Sequence, residues 1–160
     1  MAKVFISLGT NLGNKEQNLN QAIDLIQDSC GRMKQKSSIY SSAPWGFQSF
    51  NNFLNQVISI KCELSPKALM QELLIIENKL GRNRNSKNYQ DRTIDLDILF
   101  YDDLILHTKE LQIPHPMLHK RNFILQPLFE IDPGFVHPLL QKNIEQLLRM
   151  SSDHIKAFKK

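Results

Sequence analysis

The sequence is poor in cysteine and contains no long apolar run, and these two shortages exclude several classes of protein. Its two cysteines, Cys30 and Cys62, are too few and too far apart for a disulfide framework or a zinc site, so we expect two reduced thiols. No apolar run approaches the length of a membrane span. The first residues, MAKVFISLG, lack the apolar length and the cleavage pattern of a secretory signal. We therefore expect a cytoplasmic protein with no membrane partner.

A strong charge of either sign is also lacking. The 160 residues carry a formal net charge of +4, which favours anionic small molecules as much as nucleic acid. The length is that of one domain, so we expect residues 1–160 to fold as a single domain with a substantial core. The position of the arginines is more informative than the total charge, because three of the six lie between positions 82 and 92.

The candidate chemistry lies where a basic loop leads into a strand that carries two acids. Successive side chains on a strand alternate faces, so Asp95 and Asp97 share one face and lie ~7 Å apart along it. Without a partner the two carboxylates repel, whereas a hard cation such as Mg²⁺, bound together with substrate phosphates, removes that conflict. The guanidinium groups of Arg82 and Arg92 in the loop suit phosphate oxygens. The alternative is a half-exposed edge strand after a solvated basic loop.

The apolar periodicity predicts the order strand, helix, strand, strand, helix, strand. The predicted elements are 3–8, 15–28, 32–40, 53–62, 66–80 and the strand that carries Asp95 and Asp97. This order is the split βαβ repeat. It predicts an α+β fold with a ferredoxin-like βαββαβ core, a mainly antiparallel sheet and both helices on one face of that sheet.

The last sixty residues are expected to add further cover to this core. A turn at Asp102 and Asp103 leads into a hairpin strand. A helix is predicted from Met117 to about Glu130, with a break near Pro127, and a short amphipathic helix is predicted over 144–150. The polar tail SSDHIKAFKK is assigned no regular structure.

An aromatic and an amide side chain alternate onto one face of the strand over 53–62. The ring of Phe53 and the amide of Asn55 suit a flat heteroaromatic ligand, with stacking from the ring and hydrogen bonds from the amide. Trp45 and Phe123 are further stacking candidates. The alternative for Phe53 is ordinary packing in the core.

Two titratable residues lie close to these candidates in the sequence. Glu77, in the last turn of a helix, opposes the helix dipole, and it either pairs with an arginine of the basic loop or accepts a hydrogen bond from a ligand hydroxyl. His115 precedes Pro116 and is a candidate for contact with a phosphate. The other histidines are interpreted as surface residues; they are His107, His119, His137 and His154.

Several motifs together resemble the 6-hydroxymethyl-7,8-dihydropterin pyrophosphokinase family. They are SLGTNLGN, the PWG loop followed by FLNQV, ENKLGRNR, RTIDLDILFYDDLIL and IPHPMLHKRNFILQPLFEIDP. The resemblance extends over nearly the whole chain. It implies a ferredoxin-like α+β enzyme that acts as a monomer in folate biosynthesis. The implied reaction transfers diphosphate from ATP to the pterin hydroxymethyl group and releases AMP.

The resemblance also implies roles for individual residues. Asp95 and Asp97 would bind two Mg²⁺ ions, and Arg82 and Arg92 on a mobile loop would assist catalysis. The positions implied for ATP binding are Glu77, Arg84, Tyr89, Ile98, Leu111, Gln112, His115 and Arg121. The positions implied for the pterin are the rings of Phe53 and Phe123, the Asn55 amide, and backbone groups of the loop formed by Ser42, Ala43, Pro44 and Trp45.

The chain departs from the family pattern at a few of these positions. Tyr89, Gln90 and Asp91 precede Arg92 where many members have an aromatic residue, Gly and Pro. This difference predicts another path of loop closure, in which Asp91 competes for an arginine. Phe53 replaces a frequent Tyr, which keeps the stacking and loses a hydroxyl.

Two other function classes fit parts of the pattern. A basic ferredoxin-like domain suits RNA binding, but that class expects aromatic and basic residues in a third-strand motif that FLNQVISI does not supply, so we expect no nucleic-acid partner. A Mg²⁺-dependent phosphohydrolase is the other alternative. It would release product from ATP without any pterin, which separates it from a transferase.

Overall fold

The structure is a computed structural model that describes residues 1–43, 51–81 and 93–160. The elements in chain order are β1 (Ala2–Thr10), α1 (Lys15–Ser29), β2 (Gly31–Lys36), β3 (Tyr40–Ser42), β4 (Phe53–Cys62), α2 (Pro66–Lys79), β5 (Asp95–Tyr101), β6 (Leu106–His107), β7 (Gln112–Ile113), a 3₁₀ turn (Leu118–Lys120), α3 (Asn122–Ile131), α4 (Ile144–Met150) and β8 (Ala157–Lys159). Within the described ranges, no helix is long and apolar enough to cross a membrane.

The main sheet has the strand order β5-β1-β4-β3-β8, with β2 also paired to β4. Every pairing in this sheet is antiparallel. The central strand β1, which is the first strand of the repeat, lies between β4 and β5, which are its third and fourth strands when β2 and β3 are counted as one. This arrangement is that of a split βαβ repeat. The predicted ferredoxin-like α+β core is therefore confirmed.

The strand predicted over 32–40 is two shorter strands, β2 and β3, laid end to end along β4. The pairing Lys36↔Ile58 changes to Tyr40↔Asn55, so one additional residue lies between them on this side. Ser37 fills the gap: its backbone N–H donates to the Val57 carbonyl and its hydroxyl accepts from the Val57 N–H. Such a bulge is set by the partner strand, which is why periodicity alone predicted a continuous strand.

Helices α1 and α2 cover one face of the sheet, as predicted. Each begins at a capping side chain, since Asn14 accepts from the Gln17 N–H and Ser65 accepts from the Ala68 N–H. Their buried residues are Leu19, Ala22, Ile23 and Ile26 on α1, and Leu69, Leu73, Ile76 and Glu77 on α2. The apolar side chains of Leu96 and Ile98 on β5 belong to the same cluster. These side chains form the main apolar core, between the two helices and the sheet.

Helices α3 and α4 cover part of the opposite face. Phe5 and Phe100 on the sheet meet edge to face with ring centres 6.0 Å apart, and they pack in one cluster with Leu128 and Ile144. The hairpin predicted after Asp103 is present as β6 and β7. The cover leaves one end of this face open, and the candidate site lies there.

Two predictions for the C-terminal part are wrong. The helical segment breaks at Arg121, not near Pro127, because the 3₁₀ turn ends there in extended backbone and α3 then continues through the proline to Ile131. The tail, which was assigned no regular structure, supplies β8, and β8 pairs with β3. Both differences depend on contacts between segments that are far apart in the sequence.

His137 is not the surface residue that the sequence predicts. Its side chain is only 3% exposed, and its Nδ1 accepts hydrogen bonds from the backbone N–H groups of Leu139 and Leu140, at 3.2 and 3.0 Å. The ring meets Phe100 edge to face. Burial, with a smaller contribution from His119, lowers the pKa of His137 to about 4. The neutral imidazole therefore holds the turn over 138–140.

We predict that His137 makes the fold sensitive to acid. Its folded-state pKa lies below the ordinary value of about 6.5, so the stabilisation is complete above pH 6.5 and is lost as the pH falls toward 4. The free energy of unfolding, measured by urea denaturation between pH 7.5 and 4.5, should fall less steeply in His137→Asn than in the wild type. The same substitution at the exposed His107 is the control, and an equal slope in both variants would contradict the assignment.

Candidate active site

Three neighbouring strands place the candidate polar side chains in one row. In the strand register, Gly9 on β1 lies between Asn55 on β4 and Asp95 on β5. One alternation along, Ser7 lies opposite Asp97. Residues directly opposite each other on antiparallel strands point to the same face, so the amide and both carboxylates share the face that α1 and α2 do not cover.

Gly9 leaves room for a ligand between these side chains. A Cβ atom at this position would lie 3.4 Å from Asn55 Oδ1 and 3.7 Å from the Phe53 ring. Because the glycine has no side chain, the backbone of β1 forms the floor of the cavity. Gly9 is not among the site residues predicted from the sequence. A glycine at the end of an otherwise buried strand, opposite a polar residue, is the signal that identifies it.

A cavity of about 590 Å³, part of it open to solvent, rises from this floor. We call it the aromatic pocket. The sequence-predicted residues that line it are Ser42, Ala43, Phe53, Asn55, Asp95, Asp97, Arg121 and Phe123. It contains every residue predicted for the pterin that lies in the described part of the chain. It also contains both predicted metal ligands.

One wall of the aromatic pocket is polar and fixed in orientation. Asn55 is 5% exposed, and its amide nitrogen donates to the hydroxyl of the buried Ser42 at 2.7 Å. This bond sets the rotation of the amide, so its oxygen lies on the Gly9 side. The facing wall is the start of α3, where the Arg121 guanidinium lies 5.7 Å from the centre of the Phe123 ring.

A second cleft lies on the other side of Asp97. Among the residues that line it are four of those predicted to bind ATP: Ile98, Leu111, Gln112 and His115. Ile98 is almost fully buried, so it presents only a small apolar edge to the cleft. Asp97 lines both the second cleft and the aromatic pocket. A ligand in either cavity therefore reaches the same carboxylate.

His115 is held as a neutral hydrogen-bond donor beside this junction. The backbone N–H of Met117 donates to its Nδ1 at 3.1 Å, so the ring proton is on Nε2, 4.0 Å from Asp97 Oδ2. Burial, followed by the charge of Arg121, lowers the pKa of His115 to about 4, against a smaller opposing effect of Asp95. At neutral pH the contact with Asp97 is therefore not an ion pair.

Glu77 fixes the strand that carries the two acids. It is fully buried, and its Oε2 accepts from the backbone N–H of Leu96, the residue between Asp95 and Asp97, at 2.8 Å. Neither alternative considered for Glu77 describes this contact, which joins α2 to β5. Its contact with ATP stays a prediction. The sequence could not indicate the Leu96 bond, because 19 residues separate the partners.

The remaining predicted site residues lie outside the described residues. They are Pro44, Trp45, Arg82, Arg84, Tyr89 and Arg92. Their roles stay predictions.

Comparison with known proteins adds to this geometry. A sequence model of the family described as 7,8-dihydro-6-hydroxymethylpterin-pyrophosphokinase (HPPK) matches residues 5–133. The chain belongs to the HPPK family. This confirms the family that the sequence motifs predict.

Relatives in the HPPK family resemble the chain over most of its length. The chain is 37% identical to a protein of Aquifex aeolicus over 146 residues, which is 91% of this chain and 90% of that protein. It is 40% identical to a protein of Haemophilus influenzae over 155 residues, 96% of each. Both are named 2-amino-4-hydroxy-6-hydroxymethyldihydropteridine pyrophosphokinase.

Longer proteins contain the same unit. The chain is 36% identical to the folic acid synthesis protein FOL1 of Dictyostelium discoideum, and it spans 20% of that protein. A solved Plasmodium falciparum HPPK-DHPS structure with pteroate has a TM-score of 0.78 at 16% identity, covering 92% of this chain and 44% of the other. At that identity the likeness establishes the fold alone. The chain thus spans less than half of that solved chain.

We predict that Glu77 supports the site through Leu96. Glu77→Leu leaves a buried N–H without its acceptor, and urea denaturation should show a loss of about 1–3 kcal/mol in the free energy of unfolding. Glu77→Gln keeps an acceptor oxygen at the same position and should lose less. Equal losses in the two variants would show that the bond to Leu96 is not what Glu77 contributes.

Proposed function

We propose that this chain transfers diphosphate from Mg-ATP to the hydroxymethyl group of 6-hydroxymethyl-7,8-dihydropterin and releases AMP. HPPK family membership supports the activity, in agreement with the pyrophosphokinase of folate biosynthesis predicted from the sequence. The observation that supports the residue assignment is that Asp97 lines both cavities. A transferase needs its two substrates to meet at one point, and Asp97 lies where the cavities adjoin.

In this proposal the pterin occupies the aromatic pocket. The rings of Phe53 and Phe123, which both line this pocket, stack on the flat heterocycle. The amide of Asn55, fixed by Ser42, hydrogen-bonds the polar edge of the ring system. A fixed amide loses little conformational entropy when the ligand binds. The loop over 42–45 supplies further backbone contacts.

ATP occupies the second cleft. Leu111 and Ile98 provide apolar surface for the base, and Gln112 provides an amide beside them. The Nε2–H of the neutral His115 donates to a phosphate oxygen without adding positive charge. Arg121, which lines the aromatic pocket together with Asp97, is assigned to the phosphates that reach toward Asp97. Arg84 and Tyr89 complete the proposed nucleotide contacts.

Asp95 and Asp97 have the chemistry of a magnesium site. Both are half-buried, share one face and supply the hard oxygen donors that Mg²⁺ prefers in the presence of substrate phosphates. We assign two Mg²⁺ ions to them, as the sequence predicts. When bound, Mg²⁺ lowers the pKa of an attacking hydroxyl and offsets phosphate charge.

The reaction in this proposal is an in-line displacement. The pterin hydroxyl oxygen forms a bond to the β-phosphorus and loses its proton to water. The bond from that phosphorus to the oxygen bridging to the α-phosphate breaks, and AMP leaves with that oxygen. The two walls hold the hydroxymethyl group toward Asp97, so that the attacking oxygen is already positioned. Arg82 and Arg92 stabilise the charge that develops on the transferred group.

One chain is sufficient for this chemistry. All the assigned residues come from one sequence, so we propose that residues 1–160 act as a single domain and as a monomer. Because ATP is the co-substrate, we assign the reaction to the cytoplasm.

The assay that tests the function follows AMP formation from ATP with and without the pterin. The proposal expects AMP and the pterin diphosphate in equal amounts, and no nucleotide turnover when the pterin is omitted. A Mg²⁺-dependent phosphohydrolase would instead release product from ATP alone. Asp97→Asn removes a metal-ligand charge at nearly constant shape, so AMP formation should become undetectable.

The matched control for Asp97→Asn is Asp103→Asn, which changes an exposed acid in the turn after β5. It should keep the wild-type rate. Calorimetric titration of ATP gives a second measurement, in which Asp97→Asn should lose the Mg²⁺ dependence of binding. Substantial Mg²⁺-dependent turnover in Asp97→Asn would exclude the metal assignment.

We predict that Phe123→Leu weakens pterin binding selectively. Losing an aromatic stacking contact costs about 0.5–1.5 kcal/mol, which corresponds to a KM for the pterin about 2- to 10-fold higher. The KM for ATP should not change. Phe129→Leu is the control on the same helix, because Phe129 is 41% exposed and does not line the aromatic pocket. Steady-state kinetics with each substrate varied in turn measures both.

A further inference from the structure

The C-terminal tail, residues 151–160, lies outside the span of 5–133 that matches the HPPK family. None of its residues lines the aromatic pocket. It nevertheless contacts the elements that form both walls of that pocket, which are the start of α3 and the short strand β3. The tail therefore joins two segments that are about eighty residues apart in the sequence.

The first contact is at the start of α3. Arg121 occupies the capping position of this helix, but its side chain makes no capping hydrogen bond. The carboxylate of Asp153 takes that place: its Oδ2 accepts from the backbone N–H of Asn122 at 2.8 Å. A negative charge beside a helix N-terminus is favourable, because the first N–H groups have no partner within the helix.

The same contact is reinforced from both sides. The amide of Asn122 donates to the backbone carbonyls of Asp153 and Ile155, at 3.3 and 3.4 Å. The other oxygen of Asp153 accepts from the Ile155 N–H at 2.9 Å, which fixes the carboxylate. Arg121 and Phe123, on either side of Asn122, line the aromatic pocket. Asp153 therefore fixes the first turn of α3, which carries this wall of the pocket.

The second contact is with β3, which carries the polar wall. Strand β8 pairs with β3 in the register Ser42↔Ala157, and the backbone N–H of Lys160 donates to the Ile39 carbonyl at 2.8 Å. Without β8, β3 would be a three-residue edge strand. Ser42 accepts the bond that orients the Asn55 amide. The position of Asn55 in the pocket therefore depends on how firmly β3 is held.

The far end of α3 is attached to the same region directly. Glu130 accepts from the Tyr40 hydroxyl at 2.7 Å and from both the N–H and the hydroxyl of Ser38 at 3.0 Å. At the end of α3 that faces the pocket, the tail makes the corresponding connection. The helix and the strand are thus joined at two points, one direct and one through residues 153–160.

We propose that the C-terminal tail is a positioning segment for the flat substrate, with Asp153 as its main positioning residue. By capping α3 and pairing with β3, it fixes the positions of Phe123 and Asn55 relative to each other. This inference rests on the proposed assignment of the aromatic pocket to the pterin. Without the tail, the substrate itself must order the two walls when it binds. The free energy spent on that ordering weakens binding.

The test compares two variants that each remove a helix cap. Asp153→Ala removes the cap of α3, and Asn143→Ala removes the cap of α4, where Asn143 accepts from the Gln146 N–H and no residue lines the aromatic pocket. Both should lower Tm by similar amounts. Asp153→Ala should also raise the KM for the pterin about 5- to 10-fold, the ratio expected for a lost cap, with kcat nearly unchanged. The KM for ATP should rise less because, of the residues assigned to ATP, only Arg121 lies at the start of α3. Asn143→Ala should leave all three constants unchanged.

Asp153→Asn provides the rescue, because its side-chain oxygen still accepts from Asn122 although the charge is lost. Its KM for the pterin should lie closer to the wild-type value than that of Asp153→Ala. An equal KM in Asp153→Ala and Asn143→Ala would overturn the proposal. If Asp153→Ala does not fold, Asn122→Ala replaces it, because this substitution removes the amide hydrogen bonds to the tail. In Asn122→Ala a raised KM for the pterin supports the proposal, and a wild-type KM overturns it.

The Phe123→Leu variant distinguishes a failure of the positioning role from a failure of the assignment of the aromatic pocket to the pterin. A raised KM in Phe123→Leu with a wild-type KM in Asp153→Ala overturns the positioning role and leaves the pocket assignment in place. A wild-type KM for the pterin in Phe123→Leu overturns both together.

Discussion

The site depends on two carboxylates that share one face of one strand. Asp95 and Asp97 repel each other, and a strand with two such charges is not stable sheet material by itself. Three features hold β5 in place nonetheless: pairing with β1, apolar residues turned toward α2, and the bond from the Leu96 N–H to the buried Glu77. The fold thus supplies the stability that the acids lack. A cation bound with substrate phosphates would relieve the repulsion that remains.

The two cavities beside these carboxylates are lined by different kinds of side chain. The aromatic pocket combines rings with an amide whose rotation is fixed, which suits a flat molecule with a polar edge. The second cleft combines apolar surface with a neutral histidine that donates from Nε2. At neutral pH His115 is uncharged, so it adds no positive charge beside the two acids.

Local patterns in the sequence predicted much of this arrangement. Strict alternation put Asp95 and Asp97 on one face of their strand, and it put Phe53 and Asn55 together on one face of theirs. The order of strands and helices was sufficient for the split βαβ core. Each of these features depends on neighbours within a few residues.

Features that depend on distant segments were not predictable in the same way. The bulge at Ser37 is set by β4, the start of α3 by Asp153, and the burial of His137 by the turn it accepts from. Glu77 was expected to pair with an arginine of the basic loop or to accept from a ligand hydroxyl, because the chain distance to Leu96 conceals their contact. Tertiary contacts decide such positions, and local propensity then has little influence.

The row formed by Asn55, Gly9 and Asp95 has a consequence for how such a site can evolve. The row is formed by the register of three strands. Inserting or deleting one residue in β4 or β5 would therefore turn Asn55 or Asp95 toward the buried helices. Substitutions can accumulate one at a time, but residues cannot be inserted into or deleted from β1, β4 and β5 near the row without loss of the site. Length variation is tolerated only between the strands. Relatives with very different sequences can therefore keep the same spacing of their polar residues.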